Sequence, residues 1–369
     1  MLTESANQAI ISGQTDRQTD RQTDRQTITV VIPVYNCKKY LKEAVESVLL
    51  QPYSGIFIVL IDDGSTDGSG HICDELASTS HRIKVLHQKN AGVSAARNAG
   101  IEFSLKHFGC EYITFLDADD CWARNFFTDD TVAAFPEATI IRFQSAYCDS
   151  NLSRYANAVD VAEGTYDGGV SAVHKCLSSH FGAALYASSL FQNHRIRFIE
   201  GLKHSEDVLF LRTCAYSADS IAFFNRILYL YRNNPMSCVH TNTATGFAYF
   251  EPMFQAYLAH DFNGAGFVSW YFVDAMENHF KHAGTVSEAR RWMSEHPEYV
   301  SVAREHGGDR AKRVLTALEK HPYLYAAKYS VKGSAFNIAR NIIRIWPFSL
   351  LYDVYRYKNK MPANREIIN

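Results

Sequence analysis

Tyr112-Ile113-Thr114-Phe115-Leu116-Asp117-Ala118-Asp119-Asp120 is the stretch that decides the fold class. A short, largely apolar and aromatic run stops abruptly at three carboxylates. The run is too short for a buried helix and predicts a buried strand. A strand that ends in acid delivers that acid to the carboxyl edge of a sheet, where open α/β sheets bind ligands. Three carboxylates so close together repel one another unless a cation sits among them. A hard divalent ion such as Mg²⁺ or Mn²⁺, with oxygen ligands and phosphates, suits them. The competing reading is an acidic turn that caps the next helix.

Upstream, Ile28-Thr29-Val30-Val31-Ile32-Pro33-Val34 is a β-branched run that predicts a buried, parallel strand. It ends in Tyr35-Asn36, and Asn36 is placed to cap the helix that follows. In that helix Leu41, Ala44, Val45, Val48 and Leu49 fall at i, i+3, i+4, i+7 and i+8, a single apolar stripe. Ile56 to Ile61 predicts a second strand, which also ends in acid at Asp62-Asp63. Gly64-Ser65-Thr66-Asp67 turns into a helix with Ile72 and Leu76 inward. Ile83 to Leu86 predicts a third short strand. Asn90-Ala91-Gly92 leads into a helix of small residues around Ala95, Ala96 and Ala99, suited to close packing on a sheet. The alternation of strand and helix predicts an α/β, doubly wound, mostly parallel sheet flanked by helices. Neither a GxGxxG fingerprint nor a Walker loop is present.

Downstream, residues 122–237 are less regular. They hold the loop Glu163-Gly164-Thr165-Tyr166-Asp167-Gly168-Gly169, the run Gly182-Ala183-Ala184-Leu185-Tyr186, and the acidic pair Glu206-Asp207. Ile227 to Tyr231 predicts a strand leading into Arg232. From about Thr241 the pattern is helical and aromatic. Residues 321–369 carry eight Lys and Arg, from Lys328 to Arg365, against Asp353 and Glu366, with tyrosines, Phe336, Trp346 and Phe348 between them. Such a basic, aromatic, amphipathic stretch suits peripheral contact with an anionic membrane; the alternative is a helical cap on the domain before it. Pro347 would kink or break the run.

With 369 residues, one large or two modest domains are expected. A net charge of −2 gives no global field to recruit nucleic acid. The 8 cysteines show no CxxC or zinc spacing, which predicts free thiols in a reducing compartment. Neither an apolar leader nor a run of membrane-span length is visible, so a cytoplasmic protein, peripheral on the inner face of the membrane, is expected. Residues 1–27 read as a disordered tail. From Gln14 the tetrapeptide Gln-Thr-Asp-Arg occurs three times. CAG, ACA, GAC and AGA encode those residues and are successive frames of a repeated CAGA tetranucleotide. Gain or loss of one unit by slippage shifts the frame, so the repeat points to a gene switched by its length.

Taken together, the motifs resemble glycosyltransferase family 2, of GT-A fold. The resemblance is carried, in order, by Val31-Ile32-Pro33-Val34-Tyr35-Asn36, Ile61-Asp62-Asp63-Gly64-Ser65-Thr66-Asp67, Asn90 through Gly100 with Arg97 within it, and Phe115-Leu116-Asp117-Ala118-Asp119-Asp120. Glu206-Asp207-Val208-Leu209-Phe210 and Tyr231-Arg232 through Ser237 look like its later motifs. The resemblance spans roughly 28–240 and implies a GT-A domain there, with a helical extension over 241–369.

What it implies for single residues agrees with their chemistry. Tyr35 would stack on a nucleotide base, with Pro33 shaping the strand end. Asp62 or Asp63 would accept from the base or the ribose. Arg97 would reach the diphosphate or an acidic residue of the site. Asp117 and Asp119 look like the metal-binding carboxylates; Asp119 is the direct ligand, and Asp117 binds ribose or acts through water. Asp120 would orient them. Asp207 is the candidate general base, with Glu206 orienting it or binding an acceptor hydroxyl. The alternative is that both are first-turn residues set for the helix dipole. Arg232 and Ser237 would touch phosphate or close a loop. Trp122 would line the sugar pocket or cover the sheet, and His240 would add a metal ligand or be structural. His174, His180 and His204 receive no role.

The reaction implied is an inverting, Mn²⁺- or Mg²⁺-dependent sugar transfer. The donor is a nucleotide-sugar, expected to be a UDP-sugar. The acceptor is a glycan or glycolipid such as lipooligosaccharide or capsule. The rivals are a sugar nucleotidyltransferase, which would carry a Gly-rich basic loop where Tyr35-Asn36-Cys37-Lys38-Lys39 stands, and a nucleotide-sugar-binding protein without catalysis.

Overall fold

The computed structural model describes residues 26–135, 137–149, 152, 154–157, 163–169, 180–202, 206–233, 291, 293–306 and 308–320. The first 25 residues with most of the repeat, His174, His204, Ser237, His240 and the basic 321–369 stretch lie outside the described residues. The chain divides into two compact units, Met1–Thr243 and Ala244–Asn369.

The first unit is built on one mixed sheet. Its strands are β1 (Ile28–Val34), β2 (Ile56–Asp62), β3 (Ile83–His87), β4 (Tyr112–Phe115), β5 (Cys121–Trp122), β6 (Ile140–Cys148), β7 (Arg154–Asn157), β8 (Gly164–Asp167), β9 (Ala184–Ala187) and β10 (Ser220–Arg232). The spatial order is β3-β2-β1-β4-β9-β6-β10-β5, with β7 on β6 and β8 on β10. The first four are mutually parallel. Antiparallel β9 then joins β4 to β6, and β6 runs parallel to β10. The α/β architecture expected from the sequence is present, parallel on one side and mixed on the other.

The helices of this unit are α1 (Leu41–Leu49), α2 (Ser69–Thr79), α3 (Val93–His107), α4 (Asp129–Ala133), α5 (Ser188–Asn193) and α6 (Glu206–Ser217). Alternation along β1 assigns the two faces. Val30, Ile32 and Val34 share a core with Leu41, Ala44, Val45 and Val48 of α1. Val31 points the other way, against α3, and a Cβ on Gly100 would stand 2.3 Å from its Cγ1. Successive strand residues face opposite sides, so α1 and α3 cover opposite faces and the sheet is doubly wound. A glycine at 100 lets α3 lie this close.

Several expectations fare differently. Asn36 does not cap α1, which starts at Leu41 behind Tyr40. It sits at φ 53 and accepts the Thr66 N–H at 2.8 Å, so it braces the loop after β2 instead. Residues 164–167, expected as loop, form edge strand β8 on β10. The strand expected at 227–231 begins at Ser220 and is carried past irregularities between Phe223 and Tyr229. Gln26 and Thr27, assigned to the tail, already bond to the domain: the backbone N–H groups of Glu111 and Tyr112 donate to Thr27 O. Trp122 is buried in the core beside Phe127, covering the sheet.

In the second unit, α7 (Pro297–His306) and α8 (Gly308–Lys320) are described. Ala311, Val314 and Leu315 form the buried stripe of α8 at helical spacing, and Arg304 pairs with Glu319 between the two helices. Among the described residues no helix is long and apolar enough to cross a membrane.

Candidate active site

β2 and β4 lie on opposite sides of β1, so the order reverses between β1 and β4. That switch point opens a crevice at the carboxyl edge. Pro33 helps to open it. The Leu116 N–H donates to Val31 O as the last bond between the β1 and β4 chains, while Asp63 N donates to Val34 O on the other side. The donor that Pro33 lacks would face the β4 side past that last rung, where none is needed. Tyr35 follows at the rim, 50% exposed.

Asp62 and Asp63 are both buried. Asp62 accepts the Ser65 N–H at 3.1 Å and lies 2.9 Å from His87 Nδ1. Burial pushes its pKa up, but bonds from Ser65 and His87 prevail and hold it below the usual carboxylate range. Asp63 accepts from Gln88 Nε2, Ala91 N and Gly92 N at 2.8–2.9 Å. The pair fastens the loops after β2 and β3.

Arg97, 3% exposed in α3, is the hinge of the site. Its Nη2 donates to Asp117 Oδ1 at 2.7 Å and its Nη1 to Glu206 Oε1 at 3.0 Å. The guanidinium lies 4.5 Å from the Phe181 ring centre and 5.1 Å from that of Phe198. A buried cation is tolerable only when paired and hydrogen-bonded, and here it is. Of the two partners expected for Arg97, the structure supplies acids. Burial raises the Asp117 pKa, yet Arg97 and then His180 hold it below the usual range.

The turn after β4 closes through Asp120 N donating to Asp117 O. Asp120 is thereby tucked under, accepting from Tyr229 OH and from Arg232 N, each at 2.7 Å. Burial, then the charges of Asp119 and Asp117, push its carboxyl well above the usual range. Arg232 closes a loop: Nε donates to Asp119 O at 2.7 Å and Nη2 to Glu43 Oε2 at 2.6 Å.

Sequence reasoning left His180 without a role. The structure sets its Nε2 3.9 Å from Asp117 Oδ2 and stacks its ring on Tyr229 at 4.2 Å. Burial drives its pKa down to about 4, against the pull of Asp117, so the ring is neutral. Asp117, Asp120 and His180 each bring one ligand-type atom within 4.8 Å of the others. Gly182 N donates to His180 Nδ1 at 3.2 Å, which puts the ring proton on Nε2 by inference from the bonding. In that tautomer His180 presents a donor to the acids, and the carboxylates are the oxygen ligands. Crowded acids, one of them pushed towards protonation, fit a small oxygen-preferring cation. The sequence pairs Asp117 with Asp119; the close group here is Asp117 with Asp120 and His180, and Asp119 stands next in the turn, partly exposed.

Glu206 and Asp207 open α6. Asp207 makes one bond to its own helix, from Val208 N. Burial, then the neighbouring Glu206 charge, raise its pKa to about 6 despite Arg97. A carboxylate held there can accept a proton near neutral pH. Asp117, Arg97, Glu206 and Asp207 thus form one connected cluster that joins β4, α3 and α6.

The family model for glycosyl transferase family 2 matches residues 29–151. GlyG of Streptococcus pneumoniae, a glycosyltransferase, is 32% identical over 235 residues, 58% of this chain and 73% of GlyG. The glycosyltransferase GlyA of the same species is 31% identical over 220 residues, 56% of this chain but 30% of GlyA, so the chain spans less than a third of that relative. Among solved structures, TarS of S. aureus in complex with UDP-GlcNAc superposes with a TM-score of 0.59 at 18% identity, covering 80% of this chain and 92% of that one. The likeness to TarS is one of fold.

Proposed function

The chain belongs to glycosyltransferase family 2, and from that membership we propose that it moves a sugar from a nucleoside-diphosphate donor to a glycan hydroxyl, with inversion. The observation that carries the reading is the cluster at the carboxyl edge: acids braced by a buried arginine, and among them a carboxylate with a pKa of about 6.

Asp207 takes the proton of the acceptor hydroxyl as that oxygen bonds to the anomeric carbon. The bond from that carbon to the diphosphate oxygen breaks, and its electron pair leaves with the nucleoside diphosphate. Attack in line with the departing group inverts the centre. Arg97 is a positioning residue: Nη2 holds Asp117 and Nη1 holds Glu206, which fixes both acids. His180 keeps Asp117 turned towards the cleft. Tyr35 stacks on the base, and Asp62 and Asp63 shape the loops around the nucleoside. Asp117, with Asp119 and Asp120, would hold Mn²⁺ or Mg²⁺, which when bound neutralises charge on the diphosphate.

The donor is a UDP-sugar, in keeping with the ligand of TarS. The acceptor is a surface glycan such as lipooligosaccharide or capsule, reached at the cytoplasmic face, where residues 321–369 contact anionic lipid. A thermal-shift screen of nucleotide sugars with and without Mn²⁺ tests the donor. A UDP-sugar raises the melting point most strongly with metal present. Asp207→Asn keeps that shift and loses transfer. Shifts from no nucleotide sugar, or transfer at the wild-type rate by Asp207→Asn, would overturn the assignment.

A further inference from the structure

Beyond Asp117 the rings form a path. His180, stacked on Tyr229, also lies 5.5 Å from Tyr231. Tyr231 meets Tyr147 edge to face at 5.5 Å. The two tyrosines are register partners on β10 and β6, so their side chains leave the same face of the sheet. Both stand at the carboxyl ends of their strands. Because β4, β6 and β10 run the same way, that is the edge to which β4 delivers Asp117. Tyr147 is 46% exposed, one of few large hydrophobic residues in that state among those described. Tyr231 is half-buried against the core, so the aromatic surface that meets water here is that of Tyr147.

We propose that Tyr147, braced edge to face by Tyr231, forms the platform on which a pyranose ring of the acceptor glycan lies. The proposal rests on the sugar-transfer reading and adds to it where the acceptor binds. A pyranose has one face of C–H bonds and a rim of hydroxyls. The C–H hydrogens carry slight positive charge and pack on the negative face of an aromatic ring, while tyrosine hydroxyls reach the rim. The direction is also right. Tyr35, Asp62 and Asp63 occupy the β1–β2 side of Asp117, and the tyrosine pair occupies the β6–β10 side. Donor and acceptor thus approach the acids from opposite ends of one edge.

Saturation-transfer NMR on the full chain, with UDP and Mn²⁺ saturating, tests this. The probes are the methyl β-glycosides of glucose, galactose, N-acetylglucosamine and lactose. At least one glycoside shows transfer to its ring C–H protons with the wild type. Its affinity falls roughly three- to tenfold in Tyr147→Ala, the range of a lost ring contact. Tyr147→Phe stays within about twofold of the wild type, since the ring face is kept. UDP binds all three proteins alike, which also shows that the variants are folded. Unchanged glycoside affinity in Tyr147→Ala overturns the platform. So does a wild type that binds UDP but none of the four glycosides. A wild type that binds no UDP overturns the donor reading itself, and the platform falls with it.

Discussion

Asp207→Asn should stabilise the protein while abolishing transfer, and the stabilisation should depend on pH. In the fold the Asp207 carboxyl is raised from 3.8 to about 6 by burial and by Glu206. An acid whose folded pKa lies above its unfolded one contributes stability that is complete below the unfolded value. That contribution is lost as pH rises through the folded value. The shift is about 2 pH units, each about 1.4 kcal/mol, so ionised Asp207 costs at most about 3 kcal/mol. Asp207 keeps part of its surface in water, which lowers the figure to about 2 kcal/mol. Asn retains the acceptor for the Val208 N–H and carries no charge. At pH 8 the variant should melt roughly 4–8 °C above the wild type, given about 2–4 °C per kcal/mol for a unit of this size. By pH 5 the gap should shrink to about half, and by pH 4 it should nearly close. Paired thermal melts from pH 4 to 8, with EDTA to keep stray metal out, measure it. A gap that is absent at pH 8, or equal at every pH, would refute the charge argument and leave Asp207 as an ordinary first-turn acid.

Three other expectations can be checked alongside. Arg97→Met leaves Asp117 and Glu206 as uncompensated buried charges; denaturant unfolding should show a loss of about 3–5 kcal/mol, and any residual transfer should have its acidic limb moved to higher pH because Arg97 now lowers the Asp207 pKa. Gly100→Ala forces a methyl to within 2.3 Å of Val31; chemical denaturation should register about 1–3 kcal/mol of overpacking, with donor affinity little changed in what remains folded. Sequencing the CAGA tract across isolates should reveal different unit numbers, some out of frame; one fixed number everywhere would remove the switch.

The parallel half of the sheet was legible because its information is local. Each of β1, β2 and β4 is an apolar run that ends at the carboxyl edge, the last two in acid, and the helix after β1 shows its stripe within nine residues. β6 was not legible. It carries Arg142, Gln144 and Ser145, all buried, and their polarity hides a strand. Arg142 bonds to the carbonyl of His180, a partner dozens of residues on. His180 itself has no local signal; only folding brings it between Asp117 and Tyr229. Asn36 misled because its residue type suits a helix cap, while its left-handed φ and its bond to Thr66 turn it to another loop. Tyr147 lies in that same hidden strand, and only its register with Tyr231 singles it out.

The seam at β9 has a practical meaning. This strand of four residues meets β4 at two positions and β6 at three. Everything on its β4 side is a parallel block with its own helices, tied to the other half by Arg97–Glu206 and Arg232–Glu43. Engineers seeking a different product could therefore cut there and transplant the β6–β10 half of a sibling enzyme. On the proposed division into donor and acceptor sides, such a chimaera would keep its cargo and change its address.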